Sequence, residues 1–252
     1  NPLRYQKSKT CGENIDRMGL DLLGTQNQLV QKIHETGVPT IVVLVGGRPL
    51  SVNWIAQNVQ ALVQAWEPGA LGGCALANIL AGKVNPSAKL PISIPRHSGQ
   101  IQMIYNHKPS QYFHKYIDGP STPLYPFGFG LSYTRFAYSS LKLSHTRISD
   151  KDSFTASIEL TNVGDREGTE VVQLYIRDIY SSATRPVKEL KDFARVTLKP
   201  GEKKTVTFTV TPDKLAYWNR NMQYGVEKGE FEIMIGSSSQ DKDLKKVKME
   251  VL

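Results

Sequence analysis

Two different hydrophobic rhythms run through these 252 residues, and no single packing layer can serve both. Residues 40–45 read Thr-Ile-Val-Val-Leu-Val, a nearly continuous β-branched run closed by Gly46-Gly47. Strands of this kind are usually buried on both faces of a parallel sheet. Residues 61–66 form a second apolar run. Around them the spacing turns helical. Leu29, Val30 and Ile33 make a stripe in residues 25–36 that Gly37 stops. Residues 51–57 read as a short helix with Ser51 as its N-cap. After the Pro68-Gly69 turn, residues 72–80 make a small-residue helix ending at Gly82. This order predicts an α/β domain with a parallel sheet. Ligands of such sheets sit at the carboxyl ends of the strands, here Gly46-Gly47-Arg48 and residues 66–73.

The second half alternates with period two. Phe154, Ala156, Ile158 and Leu160 are one set; Val172, Leu174 and Ile176 are another. Val206, Phe208 and Val210, then Phe231, Ile233 and Ile235, repeat it. Turns are signalled at Gly164-Asp165, Pro200-Gly201 and Lys228-Gly229. About seven short strands at this spacing predict an immunoglobulin-like β-sandwich. Between the halves, prolines at 86, 91, 95, 109, 120, 123 and 126 rule out long helices. The aromatics there, among them Tyr105, Tyr125, Phe127 and Phe129, need burial and so predict an ordered wrapping linker. The expected domains are an α/β domain over 1–108, the linker over 109–136 and the sandwich over 137–252.

Charge follows the same division. Residues 1–135 carry 12 Lys+Arg and 6 Asp+Glu; the shorter remainder carries 19 and 17. The net charge of +8 is scattered, without basic runs or Arg interleaved with aromatics, so nucleic acid is not expected as a partner. No run of 18 apolar residues exists, so no membrane span is expected. Cys11 and Cys74 lack metal-ligand spacing and are expected to be free thiols. The five histidines also lack metal spacing, and neither metal nor cofactor is expected. The sequence opens Asn1-Pro2-Leu3, which reads as a processed product or a fragment.

One loop is dense in carboxylates. Residues 10–28 hold Glu13, Asp16, Arg17 and Asp21 at the edge of the predicted scaffold, where function is commonly carried.

The motif order resembles the C-terminal part of family 3 glycoside hydrolases, the β-glucosidase and β-xylosidase group. The resemblance rests on Gly12-Glu13-X-X-Asp16-Arg17, Gly47-Arg48-Pro49-Leu50 and Ala65-Trp66-X-Pro68-Gly69. It continues through Val84-Asn85-Pro86-Ser87-X-Lys89-Leu90-Pro91, and Pro123-Leu124-Tyr125-Pro126-Phe127-Gly128-Phe129-Gly130-Leu131-Ser132-Tyr133 is the most diagnostic block. In the sandwich, Thr161-Asn162-Val163-Gly164 and Pro186-Val187-Lys188-Glu189-Leu190 resemble the family's fibronectin type III-like module. The resemblance implies an α/β sandwich domain followed by that module, with a preceding TIM-type barrel not contained in these residues. Leu71 stands where the family commonly has Glu, and Cys11 where Ser is common.

A retaining glycosidase sets two carboxylates about 5–5.5 Å apart across the scissile bond. The resemblance implies that the nucleophilic Asp comes from the barrel and that Glu13 is the general acid/base. Asp16 and Arg17 are either a local ion pair or substrate contacts. The implied activity is exo-hydrolysis of terminal β-glucosyl or β-xylosyl residues of an oligosaccharide or β-glycoside, in the periplasm or outside the cell. The chain alone is expected to be inactive. The competing expectation is a non-catalytic carbohydrate-binding or scaffold module. Its mark would be exposed aromatics among Tyr175, Tyr180, Tyr217, Trp218 and Tyr224.

Overall fold

The computed structural model describes residues 17–100, 102–109 and 115–252. It has an α/β part followed by an all-β part. The chain forms two compact units: the described residues through Ala77 with Ile94–Met103, and Asn78–Ser93 with Ile104–Leu252. No helix among the described residues is long and apolar enough to cross a membrane. Cys74 is a free, exposed thiol; Cys11 lies outside the described residues.

In the first unit, α1 spans Gln26–Glu35, β1 Ile41–Val45, α2 Asn53–Asn58 and β2 Ala61–Trp66. Gly37 ends α1 at φ +75°, a left-handed conformation that glycine adopts at little cost. β1 and β2 pair in parallel, Ile41 opposite Ala61 through Leu44 opposite Gln64. Gln60 sets the register by bonding Thr40 twice, through its side-chain oxygen (2.7 Å) and its backbone N–H (3.2 Å). Sequence expectations fail here. The strands are not buried on both faces: Leu44 is buried, but Ile41 is 50% and Val45 64% exposed. Faces of a sheet are covered by what packs on them, and α1 has no buried residue to contribute such a layer. The α1 stripe likewise has no buried residue, and Leu29 is 60% exposed. Ser51 is not the N-cap of α2; Val52 holds that position without a side-chain cap.

Helix α3, Gly72–Leu80, leads out of the first unit. Gly72 is required by packing, since a Cβ there would lie 2.5 Å from the Pro68 side chain.

The second unit is a sandwich. Its strands are β3 (Phe136–Tyr138), β4 (Lys142–Leu143), β5 (Arg147–Ile148), β6 (Phe154–Asn162), β7 (Gly168–Asp178), β8 (Glu189–Leu198), β9 (Lys203–Val210), β12 (Gly229–Gly236) and β13 (Leu244–Val251), with a small hairpin of β10 (Tyr217–Trp218) and β11 (Tyr224–Gly225) between β9 and β12. One sheet has the order β5-β13-β12-β7-β8; the other has β3-β6-β4, with β9 paired to β6. The period-two residues interdigitate between the sheets: Ile158, Leu160, Val172, Leu174, Phe231 and Ile233 are essentially inaccessible. Each contributes about 1.5–3 kcal/mol of burial.

β7 is covered on its outer face as well. Tyr105 stacks on Phe127 at 4.2 Å between centroids and meets the Tyr175 ring edge-on at 5.8 Å. The Tyr175 hydroxyl donates to Gln173 Oε1 at 2.5 Å, and Gln173 Nε2 donates to the carbonyls of Ser237 (2.7 Å) and Gly128 (3.2 Å). A Cβ on Gly128 would lie 2.1 Å from Gln173. The described residues of the aromatic, Pro-rich stretch from 115 onward belong to the second unit. Asn85 fastens it further: its Oδ1 accepts from the Ser132 hydroxyl and the Tyr133 N–H, both at 2.8 Å, while its Nδ2 donates to the Glu167 carbonyl at 2.9 Å. Lys89 and Glu170 form a buried ion pair at 2.8 Å beneath it.

At the end of β7, Asp178 is buried, and its Oδ2 forms no hydrogen bond. Burial pushes its pKa up to about 6, with Arg185, 3.7 Å away, pulling the other way and Glu227 and Glu189 adding to the rise. The folded state therefore binds this proton more tightly than the unfolded chain, whose Asp titrates near 3.9. Stability from this group is full below pH about 4 and is lost as pH rises through about 6.

Two outcomes follow from this packing. Leu160→Ala lowers unfolding free energy by about 2–5 kcal/mol, whereas Leu29→Ala costs less than about 0.5 kcal/mol, measured by urea denaturation. Asp178→Asn gains about 1–3 kcal/mol relative to the parent between pH 4.5 and 7.5, read from the pH dependence of the urea midpoint.

Candidate functional site

The carboxyl ends of β1 and β2 lie side by side because the strands are parallel. The chain leaves β1 through Gly46-Gly47-Arg48 and leaves β2 through Trp66-Glu67. A bulge falls at this edge: Leu44 faces Gln64, but Val45 faces Trp66. The Gly46 N–H donates to the Trp66 carbonyl at 2.9 Å and closes it. Trp66 has φ +54°, a left-handed backbone that costs a non-glycine residue about 1–2 kcal/mol. Strain of this kind persists only where surroundings over-determine it, and it clusters at functional edges. Gly47 leaves room for Glu67; a Cβ there would lie 3.2 Å from Glu67 Oε1.

The carboxylate-rich loop enters the described structure at this edge. The Arg17 guanidinium donates to the Asp21 carbonyl and closes a turn. The Arg48 guanidinium reaches the Arg17 carbonyl at 3.4 Å, and the Ser51 N–H donates to the Leu20 carbonyl at 2.9 Å. The segment after Glu13 and Asp16 is therefore tied to the exit of β1. Glu13 and Asp16 themselves lie outside the described residues, so only Arg17 of the three sequence candidates has a described position.

A second segment clasps the same edge. The Ser51 hydroxyl donates to the Pro95 carbonyl at 3.1 Å, and Asn53 Nδ2 donates to the Arg96 carbonyl at 2.6 Å. Gln100 Oε1 accepts the Arg96 N–H at 2.8 Å. The segments tied to the exit of β1 are thus those of Arg17 and Leu20 on one side and of Pro95 and Arg96 on the other. Residue type alone places Ser51 as a helix cap and gives Asn53 no role. Nothing in residue type separates a serine that caps from one that clasps; only the return of residues 94–100 to this edge does. Trp54 and Trp66 are half-buried, and Trp54 meets His34 edge-on at 5.4 Å. No cluster of His, Cys, Asp or Glu among the described residues could hold a metal ion.

Comparison with known proteins gives the context for this edge. A family model described as the glycosyl hydrolase family 3 C-terminal domain matches residues 4–133, and one described as a fibronectin type III-like domain matches residues 170–239. The chain is 48% identical over 246 residues to a beta-xylosidase of Formosa agariphila, covering 96% of this chain and 34% of that protein. It is 43% identical to a periplasmic beta-glucosidase of Salmonella typhimurium, covering 90% and 31%. Among solved structures, a β-glucosidase of Erythrobacter marinus superposes with a TM-score of 0.91 at 42% identity, covering 98% of this chain and 32% of that one. A beta-glucosidase of Listeria innocua in complex with glucose gives 0.87 at 36%, covering 92% and 34%. The chain spans about a third of the length of these relatives.

Asn53→Ala strips the Arg96 carbonyl of its partner. The expected cost is about 1 kcal/mol. Amide exchange by mass spectrometry should quicken in residues 94–100 of the variant. An unchanged exchange pattern there would count against the clasp.

Proposed function

The chain belongs to glycosyl hydrolase family 3, and on that premise we propose that it is the C-terminal part of a retaining exo-β-glycosidase. Its substrates are glycosides with terminal β-glucosyl or β-xylosyl residues. The preceding barrel supplies the Asp nucleophile, and this chain supplies Glu13 as general acid/base. The observation that carries the reading is the tethering of the Glu13 loop: the described residues just after it, Arg17 and Leu20, bond to Arg48 and Ser51 at the carboxyl edge of the parallel pair. The exposed apolar residues of β1 and α1 support it too, as surface suited to cover by further polypeptide.

In this reading Glu13 protonates the glycosidic oxygen as the nucleophile attacks the anomeric carbon. It then takes a proton from the water that hydrolyses the covalent glycosyl intermediate. An acid active near neutral pH needs a raised pKa, and the nearby nucleophile's negative charge provides part of that rise. Arg17 and Asp16 bracket the loop, as a local ion pair or as contacts to sugar hydroxyls. The chemistry needs no cofactor. The relative named periplasmic supports a periplasmic or secreted location.

Leaving-group dependence is the test. In the longer polypeptide containing the barrel, Glu13→Gln should reduce kcat on alkyl glycosides by about 10²–10⁴-fold, while activated aryl glycosides lose far less in the glycosylation step. Equal losses on both classes would remove Glu13 from the acid/base role. The 252-residue chain alone should not turn over an aryl β-glucoside; turnover near that of an intact enzyme would overturn the division of the site between barrel and chain.

A further inference from the structure

The second unit carries an aromatic surface that neither its core nor the β1–β2 edge uses. In the hairpin, Trp218 lies directly opposite Tyr224, and Tyr217 opposite Gly225. The Trp218 and Tyr224 rings sit 5.4 Å apart between centroids, tilted by 51°. They remain 60% and 53% exposed. Large side chains at that exposure, adjacent and in one cross-strand pair, are not core residues.

The pair is held rigidly from behind. Strand alternation sends Tyr217 to the other face, where the buried Arg185 guanidinium lies 4.5 Å from its ring centroid. The Tyr217 hydroxyl also bonds the Ser182 N–H and hydroxyl. The turn is closed by its own side chain: Asn219 Oδ1 accepts the N–H of Asn221 at 2.9 Å and of Gln223 at 3.0 Å. Backbone bonds from Asn219 N to Gln223 O and from Met222 N to Asn219 O complete it, both at 3.0 Å. The hairpin backbone that carries the two rings is therefore held in place, which lowers the ordering cost a ligand must meet.

We propose that Trp218 and Tyr224 form a carbohydrate-stacking site that takes the pyranose rings of a β-linked oligosaccharide. The apolar C–H face of a β-linked pyranose is flat and matches an indole face, while its hydroxyl rim needs polar neighbours. The exposed Arg220, Asn221 and Gln223 at the turn supply donors and acceptors beside the rings. Size decides against a protein partner. A fully buried Trp or Tyr covers about 150–250 Å², so this half-exposed pair, even with the exposed Met222 of the same turn, falls short of the roughly 800 Å² per partner of a stable interface. It matches one or two sugar rings. The choice of ligand rests on the glycosidase reading. The role is to hold substrate, so Trp218 and Tyr224 are binding residues and not catalytic ones.

The 252-residue chain is titrated with cellohexaose, xylohexaose and laminarihexaose, followed by calorimetry and by tryptophan fluorescence. At least one should bind, and Trp218→Ala and Tyr224→Ala should each weaken it about tenfold or more, with thermal unfolding and far-UV circular dichroism like the parent. Tyr180→Ala, an exposed aromatic outside the pair, should bind as the parent does. Glu13→Gln should bind as the parent does too, so loss of the acid/base role would leave this site standing, and the reverse. Three results would overturn the proposal: no hexasaccharide binds, Trp218→Ala binds undiminished, or Trp218→Ala acts only by dissociating an oligomer seen in analytical ultracentrifugation.

Discussion

The side-chain amide of Gln173 is the interaction on which the second unit depends. It sits on the outer face of β7, buried, with both ends engaged: oxygen by the Tyr175 hydroxyl, nitrogen by the carbonyls of Ser237 and Gly128. A buried amide with unfilled bonds is costly, so this arrangement admits one placement of the Gly128 turn. The absence of a Cβ on Gly128 makes the approach possible. Once that turn is in place, Phe127 is brought onto Tyr105 and Tyr105 onto Tyr175. The outer face of β7 then becomes a second apolar layer holding Tyr175, Met234 and Leu244. The described residues around Gly128 are thereby held in place without a helix.

The first unit obeys the opposite economy. Its two parallel strands and amphipathic helix carry the apolar residues of a buried layer, yet Ile41, Val45 and Leu29 face solvent. Parallel sheets are stable when covered on both faces. What this unit does hold firmly is its carboxyl edge, where the bulge at Val45, the left-handed Trp66 and the bonds of Ser51, Asn53 and Arg48 converge. The polar clasp positions the loop that follows Glu13 and the segment around Arg96 against one another.

Much of the fold was legible in residue order. The period-two sets at 154–160, 172–176, 206–210 and 231–235 are the inward residues of β6, β7, β9 and β12, because alternation in a sandwich is a direct image of burial. The helices over Gln26–Glu35 and Gly72–Leu80 and the strands Ile41–Val45 and Ala61–Trp66 stand within a residue or two of their expected bounds. The candidate edge was also legible, since the Gly-Gly after β1 and the Pro-Gly after β2 mark where parallel strands end. Ser51 was misread because capping and clasping use the same hydroxyl, and the choice is made by a carbonyl 44 residues away. The exposed pair Trp218–Tyr224 was indistinguishable in sequence from the buried Tyr175, since all three sit in strands.

The sequence by itself determined the class: an α/β part followed by a β-sandwich, in the motif order of family 3 glycosyl hydrolases. It could do so because periodicity and turn residues are local, and each is read within a few residues of where it acts. Tertiary structure alone decided which faces are covered. It put both sides of β7 in the interior, left β1 and α1 open, and turned Trp218 outward while Tyr217 was locked behind it by Arg185. Burial is a property of what packs against a residue, and that neighbour is fixed by contacts far along the chain.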